Sequence, residues 1–147
     1  MSKPSAHTPD QYYTHIPITT RWMDNDIYGH VNNVVYYSYF DTIVNQFLIE
    51  RGGLDIANGH NIGLIVHSKC DYHASIAFPI QIKGGFRVNR LGNSSVEYGV
   101  AIFADDSKTA CAQGVLTHVF VERSSQKPVR ITGKLRAALE SAVMPEI

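Results

Sequence analysis

The spacing of apolar residues along the chain changes near residue 31. Before that point, residues 15–23 have a period of two. One face holds Ile16, Ile18, Thr20 and Trp22, and the other holds His15, Thr19 and Arg21. This alternation, together with several β-branched residues, predicts a strand. Pro17 favours a position at a sheet edge or at the start of a strand. From about residue 31 to residue 51, apolar residues recur at steps of three and four, which predicts a long helix ending at Gly52-Gly53.

Four further strand patterns follow the helix, each bounded by turn-forming residues. They cover residues 64–72, 80–89, 95–102 and 109–122. Gly84-Gly85 in the second run predicts a bulge, and residues 91–94 predict a hairpin connection. A short helix is expected over residues 133–142.

One strand, one long helix and a run of antiparallel strands together form an α+β pattern with about five strands. Residues 1–12 are polar and hold Pro4 and Pro9, so we expect a flexible N-terminal tail there. Residues 13–147 are then expected to form a single domain, in keeping with the chain length of 147 residues.

The composition narrows the function classes. Apolar residues make up 44% and charged residues 18%, which argues against disorder. Lys plus Arg and Asp plus Glu number 13 each, which argues against a nucleic-acid partner. No stretch reaches the roughly 20 apolar residues of a membrane span, and residues 1–11 lack the apolar run of a signal peptide. We therefore expect a cytoplasmic protein.

Several common kinds of site are not expected. Cys70 and Cys111 lack Cys-x-x-Cys spacing, so neither a disulfide framework nor a zinc finger is predicted. His67 and His73 share a strand face but are six residues apart, and the sequence holds no His-x-x-x-His pair, so no metal site is expected. A Ser-His-Asp triad of the hydrolase type would need a Gly-x-Ser-x-Gly elbow, which is absent from the sequence.

Candidate chemistry lies at the junction between the first strand and the long helix. Asp24 and Asp26 precede the helix start, where unpaired backbone N–H groups carry partial positive charge. Such a place can bind an anion or a polarised carbonyl oxygen. Gly29 permits a tight turn, and Asn32 or Asn33 can cap the helix. Taken alone, the pattern favours a merely structural interaction of an Asp with the helix end.

This junction resembles the signature segment of the hotdog-fold thioesterases, in particular the 4-hydroxybenzoyl-CoA thioesterase and acyl-CoA thioesterase group. The resemblance is carried by RWMDNDIYGHVNNVVY, residues 21–36. Weaker matches are residues 72–79 and the hairpin at residues 91–95, and the whole covers roughly residues 13–130. It implies an antiparallel sheet wrapped around one long central helix, and a thioester hydrolase that needs neither a cofactor nor a metal.

The resemblance also implies the roles of individual residues. Asp26 matches the catalytic carboxylate, which would act either as a nucleophile or as a general base on water. Backbone N–H groups near Asn32 and Asn33 would bind the thioester oxygen. The oxyanion and substrate site is expected to comprise Gly29, His30, Asn32, Asn33 and Tyr36. His30 would either contact the substrate or hydrogen-bond the turn.

An acyl-CoA substrate and a homodimer or homotetramer are further implications, with active sites at the subunit interface. A sheet with a free edge also has a physical reason to pair. The phosphates of CoA would meet basic residues, for which the candidates are Arg87, Arg90, Arg123, Lys127 and Arg130. Two alternatives remain open: a thioesterase for acyl groups on a carrier protein, and a non-catalytic acyl-binding domain of the same fold.

Overall fold

The computed structural model describes residues 4–147 and places one long helix against one antiparallel sheet. The strands are β1 (Thr14–Thr19), β2 (Asn61–Tyr72), β3 (Gln81–Leu91), β4 (Ser95–Ala104) and β5 (Ala112–Glu122). The helices are α1 (Asn33–Glu50) and α2 (Gly133–Ser141), and two single 3-10 turns, Pro9–Gln11 and Trp22–Asp24, flank β1.

All neighbouring strands are antiparallel, in the order β1-β3-β4-β5-β2. The predicted α+β order of elements and the five strands are therefore confirmed. The first strand ends earlier than predicted, because the chain leaves the sheet after Thr19 and turns through Trp22–Asp24 toward α1. Strands β1 and β2 form the two edges of the sheet.

One face of α1 is buried against the sheet. Its buried residues are Tyr36, Tyr39, Phe40, Ile43, Val44, Phe47 and Leu48. These recur at the helical spacing seen in the sequence, and burying each large apolar side chain stabilises the fold by roughly 1.5–3 kcal/mol. Phe47 stacks on Phe86 of β3 with ring centroids 4.2 Å apart. This packing holds α1 against the sheet.

The glycine pair in β3 makes room for packing and does not form the predicted bulge. The β3–β4 register continues through both glycines and shifts only after Val88. A Cβ atom at Gly84 would lie 2.4 Å from Cδ1 of Ile43 in α1. A Cβ atom at Gly85 would lie 2.9 Å from the ring of Tyr12 on the outer face. Close approach on both faces, rather than an irregular strand, explains the two glycines.

The segment before β1 is packed against the outer face of the sheet. Tyr12 is buried, and its hydroxyl lies 2.8 Å from Nδ1 of His7. The backbone N–H of His7 donates to Oε1 of Gln113 at 2.7 Å. Residues 7–12 thus differ from the expected flexible tail, because a buried aromatic ring anchors them. Residues 1–3 of that expected tail lie outside the described residues.

A polar pair is buried between β4 and β5. The hydroxyl of Tyr98 lies 2.9 Å from Nδ1 of His118, and both side chains are shielded from solvent. Burial lowers the pKa of His118 to about 4, and the negative charge of Asp41 opposes this shift only in part. The ring is therefore uncharged in the folded protein at neutral pH.

We expect the stability of the protein to fall as the pH falls from about 6.5 to about 4. In this window the unfolded chain protonates His118 and the folded chain does not, so the free energy of unfolding decreases toward acid. The shift corresponds to a loss on the order of 3 kcal/mol. Urea unfolding of wild type and His118→Gln across this range measures the effect. Equal slopes for the two proteins would contradict it.

Candidate functional site

Asp24 anchors the loop that leads into α1. Its fully buried carboxylate accepts hydrogen bonds from the backbone and side chain of Arg21 and, at 2.7 Å, from the hydroxyl of Tyr39. Burial by itself would raise the pKa of Asp24, but the hydrogen bonds from Tyr39 and Arg21 outweigh it, and the pKa lies below its usual value. The backbone carbonyl of Asp24 accepts the N–H of Asn32 at 2.9 Å. Asp24 is therefore fully engaged in structural bonds.

Asp26 lies two residues further along in a different environment. Its half-buried carboxylate accepts one hydrogen bond, from the N–H of Tyr28 to Oδ1 at 2.8 Å. Its N–H donates to the carbonyl of His30 at 2.9 Å, and the N–H of Gly29 donates to the Asp26 carbonyl at 3.0 Å. Within residues 4–147, the second carboxylate oxygen, Oδ2, has no hydrogen-bond partner. The backbone of the turn thus fixes Asp26 while one carboxylate oxygen remains available.

Two other predicted site residues belong to the same turn. Gly29 has a φ of 81°, in the left-handed region that favours glycine, and closes the turn. His30 contributes its carbonyl oxygen to the turn, while its side chain is exposed. No hydrogen bond is formed by the His30 ring to any described residue.

The start of α1 presents one unpaired amide. Asn32 caps the helix through its side chain, which accepts the N–H of Val34 at 3.0 Å, and its carbonyl accepts the N–H of Val35. The N–H of Asn32 itself is taken by Asp24, so it is not available to a substrate, contrary to expectation. The N–H of Asn33 has no partner among the described residues. The expected pair of amide donors is therefore reduced to Asn33.

A cavity of about 260 Å³ opens beside this amide. Asn33 and Tyr36 line it together with Tyr72 and His73 from the end of β2. The rings of Tyr36 and Tyr72 meet edge to face with centroids 5.1 Å apart, and the Tyr72 hydroxyl donates to the carbonyl of Asn33 at 3.0 Å. The sequence analysis placed Tyr36 at the site but assigned neither Tyr72 nor His73. The signals for them were the weaker family match over residues 72–79 and, for His73, the strand face that it shares with His67.

The segment between β2 and β3 forms the opposite wall. The carbonyl of Ile76 accepts the N–H of Val31 at 2.8 Å. The N–H of Phe78 donates to the side chain of Asn25 at 3.1 Å. These two bonds join residues 73–78 to the loop that carries Asp26.

The five basic residues expected to bind CoA phosphates do not form one cluster. Arg87 is only 2% exposed, and its guanidinium donates to the carbonyls of Gln11, Met144 and Pro145. This side chain holds both terminal segments on the sheet, so its assignment to CoA binding is wrong. Arg90 lines a separate cavity of about 490 Å³ next to Arg87.

The other three basic residues lie toward the opposite end of α1 from Asp26. Arg123, Lys127 and Arg130 are exposed. Arg123 donates to the carbonyls of Ile56 and Gly59, just before β2. Arg130 lines a cavity of about 300 Å³ with residues that follow α1. Since α1 has 18 residues, its two ends are about 27 Å apart, and these cations lie remote from Asp26 in the same copy.

Two structural findings concern metal ions and membranes. Across residues 4–147, the structure contains no group of three or more His, Cys, Asp or Glu side chains arranged to hold a metal ion. In the same range, neither helix is both long and apolar enough to cross a membrane.

Comparisons with known proteins give the family. The pattern of the thioesterase-like superfamily matches residues 20–139. The solved structure of the PA5185 protein of Pseudomonas aeruginosa is 57% identical, has a TM-score of 0.93, and covers 95% of this chain and 97% of its own. The PA2801 protein of the same species is 25% identical with a TM-score of 0.77, covering 88% and 98%.

A third solved structure resembles this one in fold alone. The Slr0204 1,4-dihydroxy-2-naphthoyl-CoA thioesterase of Synechocystis is 15% identical with a TM-score of 0.77, covering 85% of this chain and 93% of its own. No curated protein gives a significant match to the chain. The family pattern spans most of the sequence, and the sheet wrapped on a central helix is that of the hotdog thioesterases. The chain belongs to the thioesterase-like superfamily.

Proposed function

We propose that the protein is an acyl-CoA thioesterase that hydrolyses its substrate to a free acid and CoA at Asp26. The observation that carries this proposal is that two groups without partners precede or begin the same helix, although Asp26 itself is not among the residues that line the cavity. Asp26 offers a carboxylate oxygen with no partner in the described chain, and Asn33, seven residues later, offers an unpaired amide beside a cavity. Membership of the thioesterase-like superfamily supports the same chemistry.

The thioester oxygen would rest on the N–H of Asn33, at the positive end of α1. Attack on the carbonyl carbon places negative charge on that oxygen, and a fixed amide stabilises the charge without reorganising. Asp26 would act in one of two ways. It either attacks the carbon, expels the thiolate and leaves an anhydride for water to hydrolyse, or it takes a proton from the attacking water.

Asp24 cannot share this role, because both of its carboxylate oxygens are occupied by Arg21 and Tyr39 in a buried position. The two acidic residues thus offer a matched pair of variants. Replacement of Asp26 tests the chemistry of the site, and replacement of Asp24 tests the structural role of the loop that holds Asp26.

The CoA portion of the substrate is proposed on two supports. A CoA ester of an aromatic acid is the substrate named for the Synechocystis protein of the same fold. The exposed cationic residues would meet the phosphates once two copies of the chain pair.

We propose that two copies pair along β2, with the two strands antiparallel. This strand is 12 residues long and forms a free sheet edge. It also exposes the apolar side chains of Leu64, Ile65 and Val66. Unpaired edges of this kind promote association. A pairing centred on the middle of β2 places the Asn61 end of one copy beside the Tyr72 end of the other. Arg123 and Arg130 of the second copy would then border the cavity.

Replacement of Asp26 by Asn should lower kcat by about 10²–10⁴-fold, as expected for loss of a positioned base or nucleophile. The melting temperature should change little, because the carboxylate is half-exposed and makes only a turn contact. The measurement is thiol release from a panel of acyl-CoAs, together with thermal unfolding. Full activity of Asp26→Asn would refute the proposed role.

The control for this measurement is Asp24→Asn. It should lower the free energy of unfolding by about 2–3 kcal/mol, because a buried carboxylate loses charged hydrogen bonds to Arg21 and Tyr39.

If wild type releases no thiol from any acyl-CoA, the same assay with acyl groups on a carrier protein separates the carrier-protein enzyme from a binding domain. Hydrolysis in that assay alone would identify the carrier-protein substrate.

Light scattering should give at least twice the chain mass of 16.4 kDa for wild type. Val66→Lys should shift the protein toward monomer, because a charge on an edge strand opposes pairing, and should raise KM for acyl-CoA. Ile49→Lys, an exposed apolar position on α1, serves as the control and should leave the assembly intact. A wild-type protein that is monomeric at micromolar concentration would exclude the proposed dimer.

A further inference from the structure

The unpaired amide at the start of α1 lies between amides that are all bonded. The N–H of Asn32 donates to the carbonyl of Asp24 at 2.9 Å. The N–H groups of Val34 and Val35 donate to the side chain and the carbonyl of Asn32 at 3.0 and 2.9 Å. Within residues 4–147, the N–H of Asn33 has no such partner. The direction of this amide therefore depends on what holds Asn33 in place.

A tyrosine from the sheet holds Asn33. The hydroxyl of Tyr72, the last residue of β2, donates to the carbonyl of Asn33 at 3.0 Å. The ring of Tyr72 packs edge to face against Tyr36 of α1, with centroids 5.1 Å apart. All three residues line the cavity of about 260 Å³. The contact therefore joins the edge strand of the sheet to the residue whose amide is unpaired.

The bond from Tyr72 fixes the orientation of one peptide group. Burial, followed by the neighbouring thiol of Cys70, raises the pKa of Tyr72 well above its usual value, so the hydroxyl keeps its proton and donates. The peptide between Asn33 and Val34 is then held at both ends, its carbonyl by Tyr72 and its N–H by the side chain of Asn32. Holding this peptide restricts rotation about Asn33, and with it the direction of the Asn33 N–H.

We propose that Tyr72 is a positioning residue that keeps the N–H of Asn33 directed at the thioester oxygen. This inference rests on the proposed thioester hydrolysis, in which that N–H stabilises the negative charge formed on the oxygen. Tyr72 acts through Asn33, transfers no proton and forms no bond to the substrate. Without its hydroxyl, the first turn of α1 keeps its cap at Asn32 but loses this bond to the sheet, so the Asn33 amide is less often in place.

Tyr72→Phe removes the hydroxyl and keeps the ring that packs on Tyr36. It should lower kcat about tenfold, less than the roughly 10²-fold cost of a 1 Å misplacement, because the cap at Asn32 remains. KM should stay within about twofold of wild type, since the positioned amide acts on the charge of the transition state. The melting temperature should fall by no more than about 3 °C, because Asn33 is exposed and water can bond its freed carbonyl.

Hydrogen exchange of backbone amides gives the readout that is specific to positioning. In Tyr72→Phe, the amides of Val34 and Val35 should exchange about three- to tenfold faster than in wild type, the scale of one lost hydrogen bond. The amide of Val44, in the buried middle of α1, should exchange at the wild-type rate.

The experiment measures thiol release, thermal unfolding and hydrogen exchange for wild type, Tyr72→Phe and Asp26→Asn. Tyr13→Phe is the control for loss of a tyrosine hydroxyl. Tyr13 is 39% exposed, and its ring packs on Phe47 near the other end of α1, so this variant should match wild type in all three measurements. Support for the proposal is a kcat loss in Tyr72→Phe with faster exchange at the first turn and KM near wild type.

Four results would overturn the role of Tyr72. The first is a kcat for Tyr72→Phe within twofold of wild type while Asp26→Asn is inactive, which leaves the proposed function intact. The second is a kcat loss without faster exchange at Val34 and Val35, which indicates direct action on the substrate. The third is a melting temperature lowered as far as in Asp24→Asn, which indicates a general loss of stability. The fourth is a wild type that releases no thiol from any thioester, which removes the proposed function and this inference together.

Discussion

The hydrogen bond between the amide of Asn32 and the carbonyl of Asp24 sets the geometry of the entire site. It closes the loop before α1 and is held in place because the Asp24 carboxylate is buried and bonded to Arg21 and Tyr39. Tyr39 belongs to the buried face of α1, so the packing of the helix on the sheet and the position of the loop are coupled. The same bond removes one helix-start amide from use and leaves the N–H of Asn33 as the remaining donor.

Two carboxylates, two residues apart, have opposite environments as a result. Asp24 is desolvated and saturated with hydrogen bonds, which is the arrangement of a structural anchor. Asp26 is half-exposed and keeps an oxygen without a partner in the described chain. Because Asp24 anchors the loop, the side chain of Asp26 in the following turn is held at a defined place. Preorganisation of this kind is what a reaction centre requires, because a positioned group lowers the barrier without further ordering.

Periodicity predicted the α+β order and the long helix, and residue type predicted a cap at Asn32 or Asn33, of which the structure uses Asn32, because these features depend on local spacing and local hydrogen bonds. It failed for the Gly84-Gly85 pair, whose reason is the approach of α1 and Tyr12, residues distant in sequence. The candidate site followed the same division. Asp26 and its turn became candidates because a contiguous segment resembles a known family. The place of Tyr72 and His73 in the cavity wall could not be predicted, because it depends on how the end of β2 meets the start of α1.

The most direct test of the central claim is a crystal structure of Asp26→Asn with a bound acyl-CoA. The account predicts the thioester oxygen about 3 Å from the amide nitrogen of Asn33, with the side chain at position 26 within about 3.5 Å of the carbonyl carbon. A thioester bound instead in the cavity beside Arg87 and Arg90, or turned away from Asn33, would contradict it.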